Sequence, residues 1–274
     1  MTADVAWLGT GDGDLAYWDT GTGDPLVLLH GGFLDHHMWD DQVRVLAPRY
    51  RVITPDARGH GLSANASRPF RPADDLAALL RQLDVGPAVV AGVSMGAAVA
   101  VDTALEHPDQ VRAVVVGGAG TSEPEYTDPW TLTVLGAWTS AMAAGDLDTS
   151  VEEFALFAAG PHRSLDDVEA DVVQRIREMA RRTMSKHASG ERNWIVPVPD
   201  TWRRAADITV PVLAINGGLD ASDHIAMAER LAGAVVCGHV TTIDGTAHYP
   251  NMERPGAYTE ALTGFLRTLP GGLS

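Results

Sequence analysis

A serine between two glycines is the residue of this sequence with the clearest chemical potential. The apolar run Val89–Ala91 leads directly into Gly-Val-Ser-Met-Gly at positions 92–96, and an alanine-rich stretch follows to Glu106. This order predicts a strand, a sharp turn and a helix, in which the two glycines let strand and helix approach each other. A serine held in such a turn is exposed and strained, which suits a nucleophile. Ser94 is therefore the candidate nucleophile.

A serine hydroxyl is a poor nucleophile at neutral pH, so this chemistry makes demands on the rest of the chain. It needs a base within hydrogen-bond reach, a third group that orients the base, and backbone N–H donors for the oxyanion formed on attack. The chain has 10 histidines that could supply the base. Enzymes built on such a turn follow the order serine, acid, histidine along the chain. Four histidines precede Ser94 and are therefore assigned to structural or loop roles: His30, His36, His37 and His60.

Strand-like and helix-like segments alternate around this turn. The strands are expected at Val5–Leu8, Leu15–Asp19, Pro25–His30, Tyr50–Pro55, Val89–Ala91, Val111–Val116, Val210–Asn216 and Val240–Ile243. The intervening helices are expected at residues 37–46, 73–83, 95–106, 223–231 and 255–269. Such alternation is typical of an α/β fold with a doubly wound, mostly parallel sheet flanked by helices.

The alternation stops between residues 121 and 206, where no central strand is expected. Helices are predicted instead at Thr131–Ala144, Val151–Ala159 and Asp166–Lys186, the last amphipathic and with Ser164 available as its cap. The chain is therefore predicted to have a core of residues 1–120 and 207–274, interrupted by the helical segment 121–206.

Composition limits the partners of the protein. A net charge of −16 opposes binding to nucleic acid or to an anionic membrane surface. The apolar run 88–101 is too short and too interrupted to span a bilayer. The amino terminus lacks the pattern of a signal peptide. The single cysteine, Cys237, fits a reducing compartment. We therefore expect a cytoplasmic protein with no nucleic-acid or membrane partner, as a monomer or homodimer.

Four motifs occur in one order along the chain. They are His-Gly-Gly-Phe at 30–33, Asp-Ala-Arg-Gly-His-Gly-Leu-Ser at 56–63, the serine turn at 92–96, and Gly-Thr-Ala-His-Tyr-Pro at 245–250. Together they make the chain resemble the α/β-hydrolase superfamily over essentially its whole length. This resemblance implies an eight-stranded type of sheet, a Ser-Asp-His triad, and a helical cap over the site formed by segment 121–206.

The resemblance also implies the partners of Ser94. It places the base at His248, in a loop of small residues before the last helix. The acid is expected at Asp220, after the strand Val210–Asn216, with Asp223 as its rival three residues later. Some members take the acid from the end of the strand after the nucleophile helix, where Glu123 is the nearest acid. Asp220 is preferred because Asp223 suits the first turn of the following helix.

The remaining assignments concern the oxyanion, the substrate and cofactors. Met95 is expected to give one backbone N–H, and by resemblance Gly32 the second, with Phe33 as the alternative. The candidate substrate-binding residues are Phe33, Trp130, Trp138, Trp194 and Tyr249. No metal is predicted, since His162, His187 and Cys237 lack partners at ligand spacing, and no cofactor is predicted because a nucleotide fingerprint is missing.

The expected activity is that of a cofactor-free serine hydrolase acting on a carboxylic ester or lactone of a small to medium apolar compound. Two alternatives stay open at this point. The same triad could serve carbon–carbon bond hydrolysis, lyase or haloperoxidase-like perhydrolase chemistry, or the chain could be a binding protein that keeps the fold without turnover.

Overall fold

Residues 4–270, which a computed structural model describes, form one eight-stranded sheet with helices on both faces. The strands are β1 (Ala6–Thr10), β2 (Gly13–Thr20), β3 (Asp24–Leu29), β4 (Tyr50–Pro55), β5 (Ala88–Gly92), β6 (Val111–Val116), β7 (Val212–Gly217) and β8 (Gly238–Ile243). They lie in the order β1-β2-β4-β3-β5-β6-β7-β8. The pairs β1–β2 and β2–β4 are antiparallel and the other neighbours are parallel. The predicted fold class is confirmed.

The position of each strand follows from its composition. Strands β5 and β7 are buried along their whole length, because helices cover both faces of the middle of the sheet. Edge strand β8 includes one histidine and two threonines and keeps His239, Val240 and Thr242 exposed. The parallel strands β5, β6 and β7 are neighbours, so their carboxyl ends lie side by side. In this fold class, the loops at the carboxyl ends of the strands hold ligands.

Residues 4–270 contain ten α-helices, of which eight lie in the connections between strands and the last two follow β8. They are α1 (Asp40–Leu46), α2 (Pro72–Gln82), α3 (Met95–Glu106), α4 (Pro129–Ala144), α5 (Leu147–Ala155), α6 (Ala170–Met184), α7 (Thr201–Arg204), α8 (Ser222–Ala234), α9 (Pro250–Glu253) and α10 (Pro255–Thr268). One buried cluster joins α1 and α10 to the sheet, and a second joins α2, α3 and α8 to the opposite face. No helix within residues 4–270 is both long and apolar enough to cross a membrane.

Helices α4–α7 occupy the connection between β6 and β7. The helix expected at Asp166–Lys186 is shorter than predicted, because Ser164 and Asp167 cap each other around a separate 3₁₀ turn at Leu165–Asp167. Val168 is then extended, and α6 begins only at Ala170. The division at residues 120 and 206 stays a prediction.

Candidate active site

The turn between β5 and α3 forces Ser94 into strained backbone. Its φ of 55° and ψ of −117° are values that a residue with a side chain rarely adopts. The glycines on either side permit the turn, since a Cβ on Gly92 would collide with the backbone of Gly96, and one on Gly96 with the carbonyl of Leu29. Ser94 N–H donates to the Gly117 carbonyl at 2.7 Å, which ties the turn to the end of β6.

His248 and Asp220 meet across two loops of the sheet. Asp220 lies three residues beyond β7 and His248 lies in the loop after β8. His248 Nδ1 is 2.8 Å from Asp220 Oδ2, and both side chains are buried. An imidazole that donates from Nδ1 to a carboxylate keeps Nε2 free as a base.

Residues 117–118 bring this pair to the serine turn. The carbonyl of Gly117 accepts the Ser94 N–H, and the next residue, Gly118, packs directly against the imidazole of His248. The sequence-predicted nucleophile, base and acid therefore converge at the carboxyl ends of β5, β6, β7 and β8.

A second histidine, which the sequence reasoning missed, contacts the same carboxylate. His224 Nδ1 lies 3.0 Å from Asp220 Oδ1, and the rings of His224 and His248 are 4.5 Å apart. Burial raises the pKa of Asp220, but the charge of His248 and the hydrogen bond and charge of His224 outweigh it and hold that pKa well below its usual value. The available signal was the spacing of four residues between Asp220 and His224 at the start of a helix.

The two rival acids have other partners. Asp223 lies in the first turn of α8 and accepts from the backbone N–H groups of Thr127 and Asp128, at 3.1 and 3.0 Å, and from the Thr131 hydroxyl at 3.0 Å. It therefore holds the start of α4. The Glu123 carboxylate accepts from residues 200–202, which ties the chain beyond β6 to α7.

The loop after β3 is fixed beside Met95. His30 Nε2 accepts from Ala57 N–H at 2.9 Å, so Nδ1 carries the proton that is donated to the Gly31 carbonyl at 2.7 Å. Burial lowers the pKa of His30, which favours this neutral form. A Cβ on Gly32 would lie 3.9 Å from Met95 Cβ, so the two predicted oxyanion donors belong to neighbouring backbone segments.

Aromatic side chains from segment 121–206 surround these groups. The Phe33 ring, on a backbone with φ of 56°, lies 4.9 Å from Trp138 and 5.8 Å from Phe154. Phe157 is 5.5 Å from the His248 ring and 5.6 Å from Trp130. Phe154 and Phe157 were missed from sequence, because only the packing of α5 and of the 3₁₀ turn after it (Leu156–Ala158) shows these contacts.

The other two candidate substrate residues are placed differently. Trp194 packs on the Arg192 guanidinium at 4.1 Å and its carbonyl accepts from Phe70 N–H, so it is not among the rings that contact Phe33 in the described residues. Tyr249 contacts the His248 ring at 5.1 Å but is only 2% exposed. Its ring therefore packs behind the histidine.

Two basic side chains attach segment 121–206 to the loops of the sheet. Arg163 donates to the Gly245 carbonyl at 3.1 Å and pairs with Glu253 at 2.8 Å, while Glu253 accepts from Ala247 N–H at 2.7 Å. Two residues beyond α6, the Lys186 ammonium donates to three carbonyls of the 56–63 motif, those of His60, Gly61 and Ser63. The histidine loop and the 56–63 motif are thus braced from segment 121–206.

Two clusters within residues 4–270 have ligand atoms close enough to hold a metal ion. They are Asp35 with His36 and His37, and Asp220 with His224 and His248. The ligand atoms of the Asp220 cluster already form two hydrogen bonds with each other, of 2.8 and 3.0 Å. The absence of a metal stays a prediction.

The sequence matches the family described as alpha/beta hydrolase fold over residues 24–255. The chain belongs to this family. It is 27% identical over 268 residues to a 2-(acetamidomethylene)succinate hydrolase of Mesorhizobium japonicum, covering 90% of each chain. It is 30% identical over 239 residues to a pimeloyl-[acyl-carrier protein] methyl ester esterase of Aromatoleum aromaticum, covering 84% of this chain and 93% of the relative.

A solved structure extends the similarity of this α/β hydrolase to its tertiary fold. A thermophilic esterase from Thermogutta terrifontis, determined with malate bound, superposes with a TM-score of 0.77 at 27% identity, covering 97% of this chain and 98% of that one. The prediction of an enzyme of the α/β-fold serine hydrolase class is confirmed by these similarities.

Proposed function

We propose that this α/β hydrolase cleaves a carboxylic ester or lactone of a small to medium, apolar compound through an acyl-enzyme on Ser94. The observation that carries the proposal is the strained Ser94 turn bound to Gly117, beside Gly118 and the buried His248–Asp220 pair. This arrangement supports the proposal, because an activated serine needs a base within reach and a group that orients the base.

The first half of the reaction acylates the serine. His248 Nε2 takes the proton of the Ser94 hydroxyl as Oγ attacks the carbonyl carbon, and Asp220 stabilises the imidazolium that forms. The negative charge on the carbonyl oxygen is stabilised by the N–H of Met95 and that of Gly32, with Phe33 as the alternative donor. Each such donor contributes roughly 2.7–4 kcal/mol to the transition state. His248 then gives the proton to the leaving alcohol.

The second half of the reaction frees the enzyme. Water attacks the acyl carbonyl while His248 takes one of its protons, and the carboxylic acid leaves as that proton returns to Ser94 Oγ. Arg163 and Glu253 support this step indirectly, because they bind the Gly245 carbonyl and the Ala247 N–H in the loop that carries His248.

The apolar substrate class follows from the surroundings of the nucleophile. We propose that segment 121–206 acts as a cap, since Trp138, Phe154 and Phe157 contact Phe33 or His248. Such a wall favours an apolar acyl or alcohol group by burying its surface. The esterases among the similar proteins support the choice of an ester bond.

Intact-mass measurement after incubation with a fluorophosphonate tests the nucleophile. The wild type is expected to gain one adduct and Ser94→Ala none, while Ser140→Ala, which alters an exposed serine on α4, labels like the wild type. Turnover of a panel of aryl esters and lactones should disappear in Ser94→Ala with an unchanged circular dichroism spectrum. Retained turnover in the purified variant would contradict the assignment. A wild type that is labelled but inactive on the whole panel would favour carbon–carbon hydrolase, lyase or perhydrolase chemistry.

A further inference from the structure

Both oxygens of the Asp220 carboxylate are held by imidazoles. Oδ2 is bound by Nδ1 of His248 at 2.8 Å, and Oδ1 by Nδ1 of His224 at 3.0 Å. The backbone N–H of Ala221 also donates to Oδ1, at 2.8 Å. The carboxylate is 4% exposed and the two histidines are 3% exposed each, so water does not compete freely for these bonds.

The start of α8 explains why His224 reaches this carboxylate. The helix begins at Ser222, so His224 lies in its first turn, and Asp220 lies in the loop just before the N-cap residue Ala221. The Tyr126 and Phe157 rings lie 5.7 and 5.8 Å from the His224 ring and cover it. His224 is thus fixed by packing as well as by its hydrogen bond.

We propose that His224 is a positioning residue for the triad, which holds Oδ1 of Asp220 so that Oδ2 stays aimed at His248. The inference rests on the proposed function of Ser94, Asp220 and His248. A carboxylate bound through both oxygens keeps its plane about the Cβ–Cγ bond. Oδ1 is held by the Ala221 N–H and by His224, and of these two bonds the one from His224 comes from a side chain and depends on the residue at that position. His224 therefore acts on the reaction only through Asp220.

The charges around His224 decide its state. The groups that face it are Asp220 from the loop after β7, His248 from the loop after β8, Asp223 from its own helix, and Tyr126 and Asp128 from the chain before α4. Burial lowers the pKa of His224, but the hydrogen bond to Asp220 and the nearby carboxylates outweigh this and raise it. The protonated ring carries a proton on both nitrogens, so its Nδ1 donates, which suits the positioning role.

Two substitutions at this position separate positioning from simple packing. His224→Leu removes the donor, and we expect kcat to fall by about tenfold or more with KM changed by less than about threefold. His224→Asn places an amide N–H where Nδ1 was, and we expect it to restore most of kcat. Without the positive charge near His248, the acid limb of the kcat/KM profile should also move to higher pH. The control His107→Asn alters another imidazole–carboxylate pair, with Asp74 at 2.7 Å, and should keep wild-type kcat.

A double-mutant cycle tests whether His224 acts through Asp220. In an Asp220→Asn background, His224→Leu should reduce the rate of fluorophosphonate labelling by less than about twofold, because the group it orients is already gone. An equally large fall in both backgrounds, or wild-type kcat in His224→Leu, would overturn the proposal. If Ser94→Ala is active, the proposed function fails; if Ser94→Ala is inactive and His224→Leu is normal, only this inference fails.

If His224→Leu does not fold, proton NMR of the wild type and of two asparagine variants still tests the hydrogen bond from His224 to Asp220. Two strongly downfield imidazole N–H protons are expected in the proton NMR spectrum, one removed by His224→Asn and the other by His248→Asn. A spectrum in which His224→Asn removes no such resonance would show that His224 does not donate to Asp220, and would overturn the proposal.

Discussion

Gly118 packs so closely on His248 that a Cβ at this position would lie 2.5 Å from Cε1 and 2.9 Å from Nδ1 of the imidazole. Gly118 also has a φ of 67°, where a side chain is strained. The loop after β6 is therefore the surface against which the histidine rests, and only glycine leaves room for the ring.

Gly118→Ala is accordingly expected to displace His248. We predict a fall in kcat of about tenfold or more, because the base no longer stays in line with Ser94 and Asp220. Gly136→Ala on α4, where a Cβ meets nothing within 4 Å, should keep full activity and raise the free energy of unfolding by about 0.5–1 kcal/mol. Wild-type kcat in Gly118→Ala would show that the His248 ring can move aside for a Cβ at residue 118 and still act as the base.

Asp220→Asn should reduce activity, whereas Asp223→Asn should reduce stability. Asp220→Asn leaves the imidazole without its carboxylate, and we expect kcat to fall on the order of 10³–10⁴-fold. Asp223→Asn weakens the start of α4, so its effect should be a loss of about 1–3 kcal/mol in the free energy of unfolding with near-normal kcat. Steady-state kinetics and urea unfolding of both variants check this, and the reverse pattern would exchange the two roles.

Asp102 on α3 should make the stability of the protein depend on pH. Burial raises the pKa of its carboxyl to about 7, and the hydrogen bond from Ser122 only partly offsets this. Between the ordinary value of 3.8 and about 7, the folded chain therefore holds a proton that the unfolded chain releases. Stability from this group is present at low pH and is lost as the pH rises through this interval.

Asp102→Asn removes that loss while keeping an oxygen that can accept from Ser122. We expect the free energy of unfolding at about pH 8 to rise by about 1–4 kcal/mol, with a smaller change at about pH 5. Urea unfolding at the two pH values measures it. A variant less stable than the wild type at the higher pH would show that the carboxylate is well solvated or paired when charged.

Trp138 should control the length of acyl chain that the enzyme accepts. Its ring lies 4.9 Å from Phe33, beside the predicted oxyanion loop. Trp138→Ala removes a large apolar wall, so we expect kcat/KM to increase for long-chain relative to short-chain esters by about tenfold. A chain-length series of aryl esters, compared between wild type and variant, measures the change, and an unchanged preference would place the acyl group elsewhere.

The strands and the serine turn could be predicted because their signals are local. Tyr50–Pro55 and Val111–Val116 match the observed strands residue for residue, since an apolar run bounded by polar residues marks a buried strand by itself. Ser94 was readable from its neighbouring glycines. The start of α6 was not, because the cap formed by Ser164 and Asp167 competes with helix continuation there.

The contacts of His224, Phe154 and Phe157 were missed for a different reason. Asp220 and His224 stand four residues apart in the sequence, but whether His224 faces Asp220 depends on how the chain turns between β7 and α8, which the spacing alone does not fix. Phe154 and Phe157 reach Phe33 and His248 only because α5 and the 3₁₀ turn after it pack onto the sheet loops. These relationships are set by tertiary packing, so a single sequence does not report them.

Phe33 joins two functions that evolution would otherwise be free to change separately. Its backbone, with a positive φ, belongs to the loop proposed to bind the oxyanion, while its ring contacts Trp138 and Phe154. A substitution that reshapes the pocket through this ring also relaxes or shifts the loop. A new substrate preference gained by substituting Phe33 would therefore come with a lower kcat. A preference gained by substituting Trp138 or Phe154 would leave the oxyanion loop, and hence kcat, unchanged.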